Sequence, residues 1–305
     1  MSAATTVQTL QFAANVDATA ADPAAAIARA QLAEALGFDV VLMQDHPYNA
    51  AHLDTWTTLT AIAARTERIG VGSNVSPLPL RPPAMLAKQV ASLAALSPGR
   101  VILGLGAGGF TQGIQAFGGP AFAPSAAVDA LDEGIRLIHQ LWTSDRAVTF
   151  TGNHYRVHGV RFGPLPTTPI PIWIGALKPR MIRLTGRLAD GLIVSAGYVP
   201  PTALPEINAM LDAAASAAGR SPTAIRRAYN VMGRIDDTVT TTALDIVGAG
   251  GAHAVATWVS ALIDYARAGR IDTFAFWPDG DRDAQLRRFA ADVIPAVRAA
   301  LDRAP

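Results

Sequence analysis

The chain has 305 residues, half of them hydrophobic and only 16% charged, with a formal net charge of +1 and no cysteine. That composition supplies apolar surface for one large core, and it excludes disulfides, thiolate nucleophiles and cysteine-ligated zinc or iron–sulfur sites. The basic residues are scattered rather than clustered, which argues against nucleic acid as a partner and for a small-molecule substrate.

Met1–Thr9 carries neither a basic n-region nor an apolar h-region, so no signal peptide is expected. The apolar runs are too short to span a bilayer, and no membrane partner is expected. A cytoplasmic location is the default expectation. Further along, short apolar runs alternate with longer amphipathic segments, the pattern of βα units around a parallel sheet. Eight runs read as strands: Leu10–Ala14, Val40–Met43, Ile69–Asn74, Val101–Leu105, Ile172–Gly175, Gly191–Ser195, Arg226–Val231 and Thr273–Trp277. Helical patterns fall between them, such as Pro23–Leu36, with apolar residues at Ile27, Ala30 and Ala33, and Pro83–Leu96, where proline suits a first helical turn.

Eight such units close a (β/α)8 TIM barrel, an α/β fold that commonly runs as one domain at this length, so residues 1–305 are expected to form a single domain. The spacing breaks once. Residues from about 145 to about 171 read as an insertion between the fourth and fifth strands, hairpin-like over Thr149–Pro169, with a turn at Gly152-Asn153. It is a candidate lid. Ile246–Ala256, interrupted by Gly248, Gly250 and Gly251, is expected to hold two short helices. The helices Asp54–Ala64 and Pro83–Leu96 carry more apolar surface than one buried stripe requires, which predicts a homodimer contact there.

In such barrels the site forms at the C-terminal ends of the strands. The second run is followed by Gln44-Asp45-His46, a carboxylate and an imidazole that make either an acid–base corner or a helix cap with a surface histidine. The third leads into Ser73-Asn74-Val75-Ser76-Pro77, a polar break where a planar ring can rest, or an ordinary strand end. Gly104-Leu105-Gly106-Ala107-Gly108-Gly109 closes the fourth run and looks superficially like a dinucleotide fingerprint. It comes after three βα units and lacks the acidic residue about twenty positions on, so the glycines instead admit a ligand or make a tight turn. The fifth run ends in Gly175-Ala176-Leu177-Lys178-Pro179-Arg180 before a helix, where N–H groups, helix dipole and cations make a phosphate site, or simply two solvated cations. Small residues Ser195-Ala196-Gly197-Tyr198 follow the sixth run, and Trp277 at the end of the eighth can wall a pocket or cover the rim. No nucleophile elbow or catalytic triad order stands out, and the six histidines do not pair at metal-ligand spacing, so no metal is expected. Chemistry without a strong nucleophile points to a cofactor.

Motifs are spread along nearly the whole chain: Gly37-Phe38-Asp39 leading to Asp45-His46, Arg65-Thr66-Glu67-Arg68-Ile69-Gly70-Val71-Gly72, Ser97-Pro98-Gly99-Arg100 before Val101–Gly106, Pro171-Ile172-Trp173-Ile174-Gly175, Ala189-Asp190-Gly191 and Phe276-Trp277-Pro278. Together they resemble the bacterial luciferase-like monooxygenase superfamily, and within it the coenzyme F420-dependent oxidoreductases. The resemblance implies a luciferase-like TIM barrel that transfers a hydride between F420 and a small organic substrate, with FMN-dependent two-component monooxygenation as the alternative and a non-catalytic cofactor-binding barrel as a third reading. It also implies a cofactor ring propped by a bulge after the third strand, with a non-prolyl cis peptide at Ser73-Asn74 or the next bond. Asp45 and His46 match catalytic positions beside the ring. Asp45 again, with Ser73, Asn74, Val75, Gly106, Ala107, Gly108, Gly175, Ala176, Leu177, Lys178 and Arg180, matches cofactor contacts. Relatives that oxidise a sugar phosphate carry an acidic residue where this chain has Gly109, which puts that substrate in doubt.

Overall fold

The computed structural model describes residues 8–240 and 242–302. The start of the chain, where no leader is expected, lies outside the described residues as far as residue 7. In chain order the strands are β1 (Gln11–Asn15), β2 (Val40–Met43), β3 (Gly70–Ser73), β4 (Ser76–Pro77), β5 (Val101–Gly106), β6 (Val148–Thr151), β7 (Arg156–Val160), β8 (Ile172–Gly175), β9 (Gly191–Ser195), β10 (Arg226–Ile235), β11 (Ala249–His253) and β12 (Thr273–Pro278). The helices are α1 (Pro23–Ala35), α2 (Thr55–Ala63), α3 (Pro83–Leu96), α4 (Thr111–Ala116), α5 (Pro124–Thr143), α6 (Pro179–Leu188), α7 (Leu204–Ala217), α8 (Val255–Arg267), α9 (Arg282–Arg288) and α10 (Ile294–Asp302). All eight apolar runs form strands, because a parallel strand covered on both faces must be apolar nearly throughout.

The chain divides into two compact units. The first comprises the described parts of Met1–Val16, Ala28–Leu42 and Ala176–Pro305. Within it β1 pairs in parallel with β2 (Ala13 opposite Val40) and with β12 (Phe12 opposite Phe274). The ladder continues through β10 (Tyr229 opposite Phe274) to β9 (Ala228 beside Ile193). Its core is aromatic. Phe289 stacks on Phe276 with centroids 4.1 Å apart and meets Phe12, Phe38 and Trp258 at about the same contact range, 6.1–6.2 Å.

The two short helices expected over Ile246–Ala256 are not there: a single 3-10 turn, Leu244–Ile246, is followed by β11, which runs parallel to β10 with Ile235 opposite His253. The cause is backbone freedom. Gly248, Gly250 and Gly251 have φ of 86°, 122° and 84°, unsuited to a helix and tolerated by glycine alone at little cost. The strand lengthens β10 to Ile235, past the expected end at Val231.

The second unit comprises Asp17–Ile27 and Met43–Gly175. Here β5 is central, pairing in parallel with β3 (Val71 opposite Val101), β4 (Ser76 opposite Leu105) and β8 (Leu103 opposite Ile172). Between α5 and β8 the chain makes an antiparallel hairpin, β6–β7. One side chain ties its turn. The Glu133 carboxylate on α5 accepts N–H bonds from Asn153 (2.8 Å), His154 (2.8 Å) and Tyr155 (3.2 Å). Burial alone would raise its pKa, but these donors outweigh that and hold it below the ordinary glutamate value.

Candidate active site

The end of β2 and the bulge after β3 are joined by a chain of buried polar contacts, all within the second unit. Met43 O accepts the Asn74 N–H at 2.7 Å. Trp56 Nε1 donates to Ser76 Oγ (2.9 Å), and Ser76 Oγ donates to Asp45 Oδ2 (2.6 Å). Arg81 completes the group, its Nε 3.0 Å from Asp45 Oδ2 and its Nη2 2.8 Å from Asp45 Oδ1. The same Nη2 reaches Asp54 Oδ2 at 2.5 Å, while Asp54 Oδ1 caps α2 through the Thr57 N–H. Asp45 is 1% exposed and takes hydrogen bonds from both Ser76 and Arg81, which makes it the hub that fixes the loop.

His46 points elsewhere. Its Nδ1 lies 2.7 Å from Tyr48 Oη and its Nε2 3.2 Å from Gln44 Nε2, so Asp45 and His46, adjacent in sequence, serve separate hydrogen-bond groups. Burial and the nearby His52 ring depress the His46 pKa below its usual 6.5, against the opposing pull of Asp45. The imidazole is therefore neutral at pH 7. Tyr48 in turn sets its ring edge-on to Phe110, 5.0 Å between centroids, and Phe110 is 53% exposed. Tyr48, Arg81 and Phe110 were not singled out in the sequence, since none belongs to a local motif and Arg81 meets Asp45 across 36 residues.

The bulge carries a non-prolyl cis peptide at Asn74–Val75, the second of the two bonds expected for it. Its backbone packs tightly on β5: a Cβ placed on Gly104 would lie 1.9 Å from Ser73 O, and Ser73 Oγ donates to Gly104 O at 2.8 Å. Val75 projects over two more glycines, since Cβ atoms on Gly106 and Gly175 would sit 2.9 and 3.0 Å from its Cγ2. So Ser73, Asn74, Val75, Gly106 and Gly175 are brought together, and two of the glycines admit a valine side chain. Gly108, with φ 85°, turns the loop against Pro79 and Ile114, while Ala107 is half-buried beside it and Gly109 faces open space.

The cationic corner belongs to the other unit. Lys178 is the N-cap of α6 in extended conformation, Pro179 occupies the first turn, and Leu177, Lys178 and Arg180 are exposed. Ala176 is buried and its N–H is spent on Ile193 O at 3.3 Å, which removes one of the donors the sequence suggested. Also in this unit, Asn230 Nδ2 donates to Ser195 Oγ at 2.8 Å, and the Trp277 indole N–H is buried with no acceptor among the described residues. Among the described residues no cluster of three or more His, Asp or Glu side chains could hold a metal ion, and no helix is long and apolar enough to cross a membrane.

Comparison with known proteins bears on the family and the fold. Residues 4–272 match the family model described as luciferase-like monooxygenase. An F420-dependent glucose-6-phosphate dehydrogenase of Nakamurella multipartita is 37% identical over 177 residues, 55% of this chain and 51% of that protein. An F420-dependent hydroxymycolic acid dehydrogenase of Mycobacterium tuberculosis is 35% identical over 220 residues, 69% of this chain and 59% of that protein. The chain thus spans about half the length of the curated relatives it matches. Among solved structures, an F420-dependent secondary alcohol dehydrogenase in complex with an F420-acetone adduct superposes with a TM-score of 0.85 at 21% identity, covering 95% of this chain and 99% of that one. A riboflavin lyase with modified FMN gives 0.81 at 17% identity, covering 97% and 93%. These likenesses show the fold, a closed parallel barrel of eight strands with surrounding helices. The family match covers most of the sequence, and the chain belongs to the luciferase-like monooxygenase family.

Proposed function

We propose that this chain is an oxidoreductase that binds coenzyme F420 without a covalent link and uses it for hydride transfer with a small organic substrate at the C-terminal mouth of the barrel. The observation that carries this reading is the Val75 platform. An uncharged side chain held across Gly106 and Gly175 offers an apolar face to a planar ring, and the hydroxyl of the next residue, Ser76, is spent on Asp45. The F420-dependent relatives, similar over more than half of this chain, support the same cofactor. When bound, the deazaflavin supplies a hydride from a carbon that replaces the reactive nitrogen of a flavin.

The chain's own residues divide the work. Ser73, Asn74 and Val75 support the ring; Gly106, Ala107 and Gly108 line the ribityl chain; Lys178 and Arg180 attract phosphate through charge at the start of α6, after the small or uncharged Gly175, Ala176 and Leu177. Asp45 holds the loop, and His46 takes part in proton exchange. The hairpin segment, from about 145 to about 171, is an insertion between the fourth and fifth barrel strands that acts as a lid. Residues 1–305 act as one cytoplasmic domain. It pairs as a homodimer through the outer faces of α2 and α3, a reading supported by the exposure of Met85 and Leu96.

Titration of the purified protein with F420 and with FMN, followed by quenching of cofactor fluorescence, tests the reading. Tighter binding of F420 is expected. Preference for FMN overturns it in favour of a two-component monooxygenase, the second reading, for which a riboflavin lyase of the same fold with modified FMN and monooxygenases of that fold speak. Binding of reduced F420 with no oxidation against ketones, imines and activated alkenes would instead leave a non-catalytic cofactor-binding barrel. Light scattering tests the dimer, and a monomeric mass rejects it.

A further inference from the structure

We propose that Tyr48 is the residue that exchanges the proton with the substrate, and that His46 acts through it as a positioning residue. This rests on the hydride-transfer reading of the site. Both ring nitrogens of His46 are engaged inside the protein, Nε2 with the Gln44 amide nitrogen at 3.2 Å and Nδ1 with Tyr48 Oη at 2.7 Å. An amide nitrogen only donates, so Nε2 keeps its lone pair and the single proton of the neutral ring sits on Nδ1, donated to the phenolic oxygen. Held this way, His46 has neither a proton nor a lone pair left for an outside group. The hydroxyl hydrogen of Tyr48 is not used in that bond.

Placement favours the same assignment. Tyr48 is half-buried, its ring lies edge-on to the exposed Phe110, and the two come from the loops that follow β2 and β5. Gly113 is what permits the contact: a Cβ there would meet Phe110 Cδ1 at 2.5 Å and Tyr48 Cγ at 2.8 Å. The pair therefore presents one hydroxyl beside one apolar face. The loop that carries Tyr48 begins at Asp45, which Ser76 and Arg81 tie to the bulge. The charged and titratable groups around the dyad are Asp45, Arg81, Asp54 and His52. Arg81 is paired to both carboxylates. Burial, with help from Asp45, raises the Tyr48 pKa, and burial and His52 lower that of His46, so the phenol keeps its proton and the imidazole stays neutral near pH 7.

The chemistry balances for a carbonyl substrate. As a hydride from reduced cofactor reaches the carbonyl carbon, the C=O π pair moves to oxygen, which takes the proton of Tyr48 Oη. The substrate gains two electrons, one hydride hydrogen and one proton, and the cofactor is oxidised by two electrons. The phenolate left behind is held by the His46 Nδ1–H and recovers its proton from water. Alcohol oxidation runs the same steps backwards.

The variant Tyr48→Phe keeps the ring and removes the hydroxyl. Two measurements on it and on the wild type decide the matter. Without cofactor, the imidazole 15N spectrum of wild-type protein is expected to show His46 as the Nδ1–H tautomer, and Tyr48→Phe, which leaves the Gln44 contact in place, is expected to keep that tautomer while the Nδ1 resonance shifts on losing its acceptor. An Nε2–H tautomer in the wild type means that the phenol donates to the ring, and overturns the proposal. With cofactor, Tyr48→Phe is expected to bind F420 with unchanged affinity while kcat falls by roughly 10²–10⁴-fold and KM stays nearly constant. His46→Ala is expected to cost less in kcat and to move the alkaline limb of the pH profile upward, an effect that a purely structural residue lacks. Wild-type turnover in Tyr48→Phe overturns the proposal and leaves the hydride reading intact. Failure of F420 to bind either protein removes that reading instead, and the imidazole spectrum still decides how His46 and Tyr48 share their proton.

Discussion

Arg81 grips both carboxylate oxygens of Asp45, Nε to Oδ2 at 3.0 Å and Nη2 to Oδ1 at 2.8 Å, where Asp45 is 1% exposed and the arginine side chain 11%. The pair holds the loop after β2 against the bulge after β3, so it governs stability and site geometry together.

Removing one partner strands a buried charge. Arg81→Met is expected to cost about 3–5 kcal/mol of unfolding free energy in urea, and the double variant with Asp45→Asn should recover part of it. A loss below about 1 kcal/mol for the single variant would mean that Asp45 is hydrated rather than buried.

The glycines of β5 are expected to differ in their tolerance of a methyl group. In Gly104→Ala the new Cβ meets backbone, Ser73 O at 1.9 Å, and the cost should reach about 3 kcal/mol or more, read as a lowered Tm. In Gly106→Ala it meets the Val75 side chain at 2.9 Å, which can shift, so stability falls less and the change appears mainly as weaker F420 binding in fluorescence titration.

The depressed pKa of His46 sets a pH dependence with a definite sign. Below the ordinary value of 6.5 the unfolded chain binds a proton that the folded site resists, so the stabilising contribution is present above 6.5 and is lost as pH falls from there through the depressed folded value. Urea midpoints of wild type and His46→Gln, compared at about pH 7.5 and about pH 5.5, should show the larger drop for wild type. Equal drops refute a depressed His46.

In the first unit, Phe289 is fully buried and touches four aromatic rings. Phe289→Ala is expected to destabilise by about 3–5 kcal/mol, through lost contact and the cavity left behind, measurable by thermal denaturation. A change under about 1 kcal/mol would show that the cluster collapses into the space.

Much of the fold is legible in the sequence for a plain reason. Runs such as Val40–Met43 and Val101–Leu105 are apolar without a break because both faces of the strand are covered, and proline marks the start of α3 at residue 83. The segment Ala249–His253 has the opposite character: Ala-Gly-Gly-Ala-His holds no strong strand former, and it is extended because β10 offers it a partner. The site follows the same division. Asp45-His46 and the glycine loops stand out locally, whereas Arg81, Tyr48 and Phe110 acquire meaning only when loops distant in sequence meet. Even adjacency misleads, since Asp45 and His46 serve separate hydrogen-bond groups.

The turn of the hairpin β6–β7 is tied by the Glu133 carboxylate under three consecutive N–H groups. Backbone donors are the same whatever side chains the turn carries, so this tie asks only for the room that Gly152 provides beside the carboxylate, while the buried Val148 and the His154 ring, edge-on to Phe122, add packing that does depend on sequence. That makes the hairpin's tip an exchangeable part: evolution, or a designer, can vary its exposed positions, provided that Glu133, Gly152, Val148 and the His154–Phe122 contact are kept.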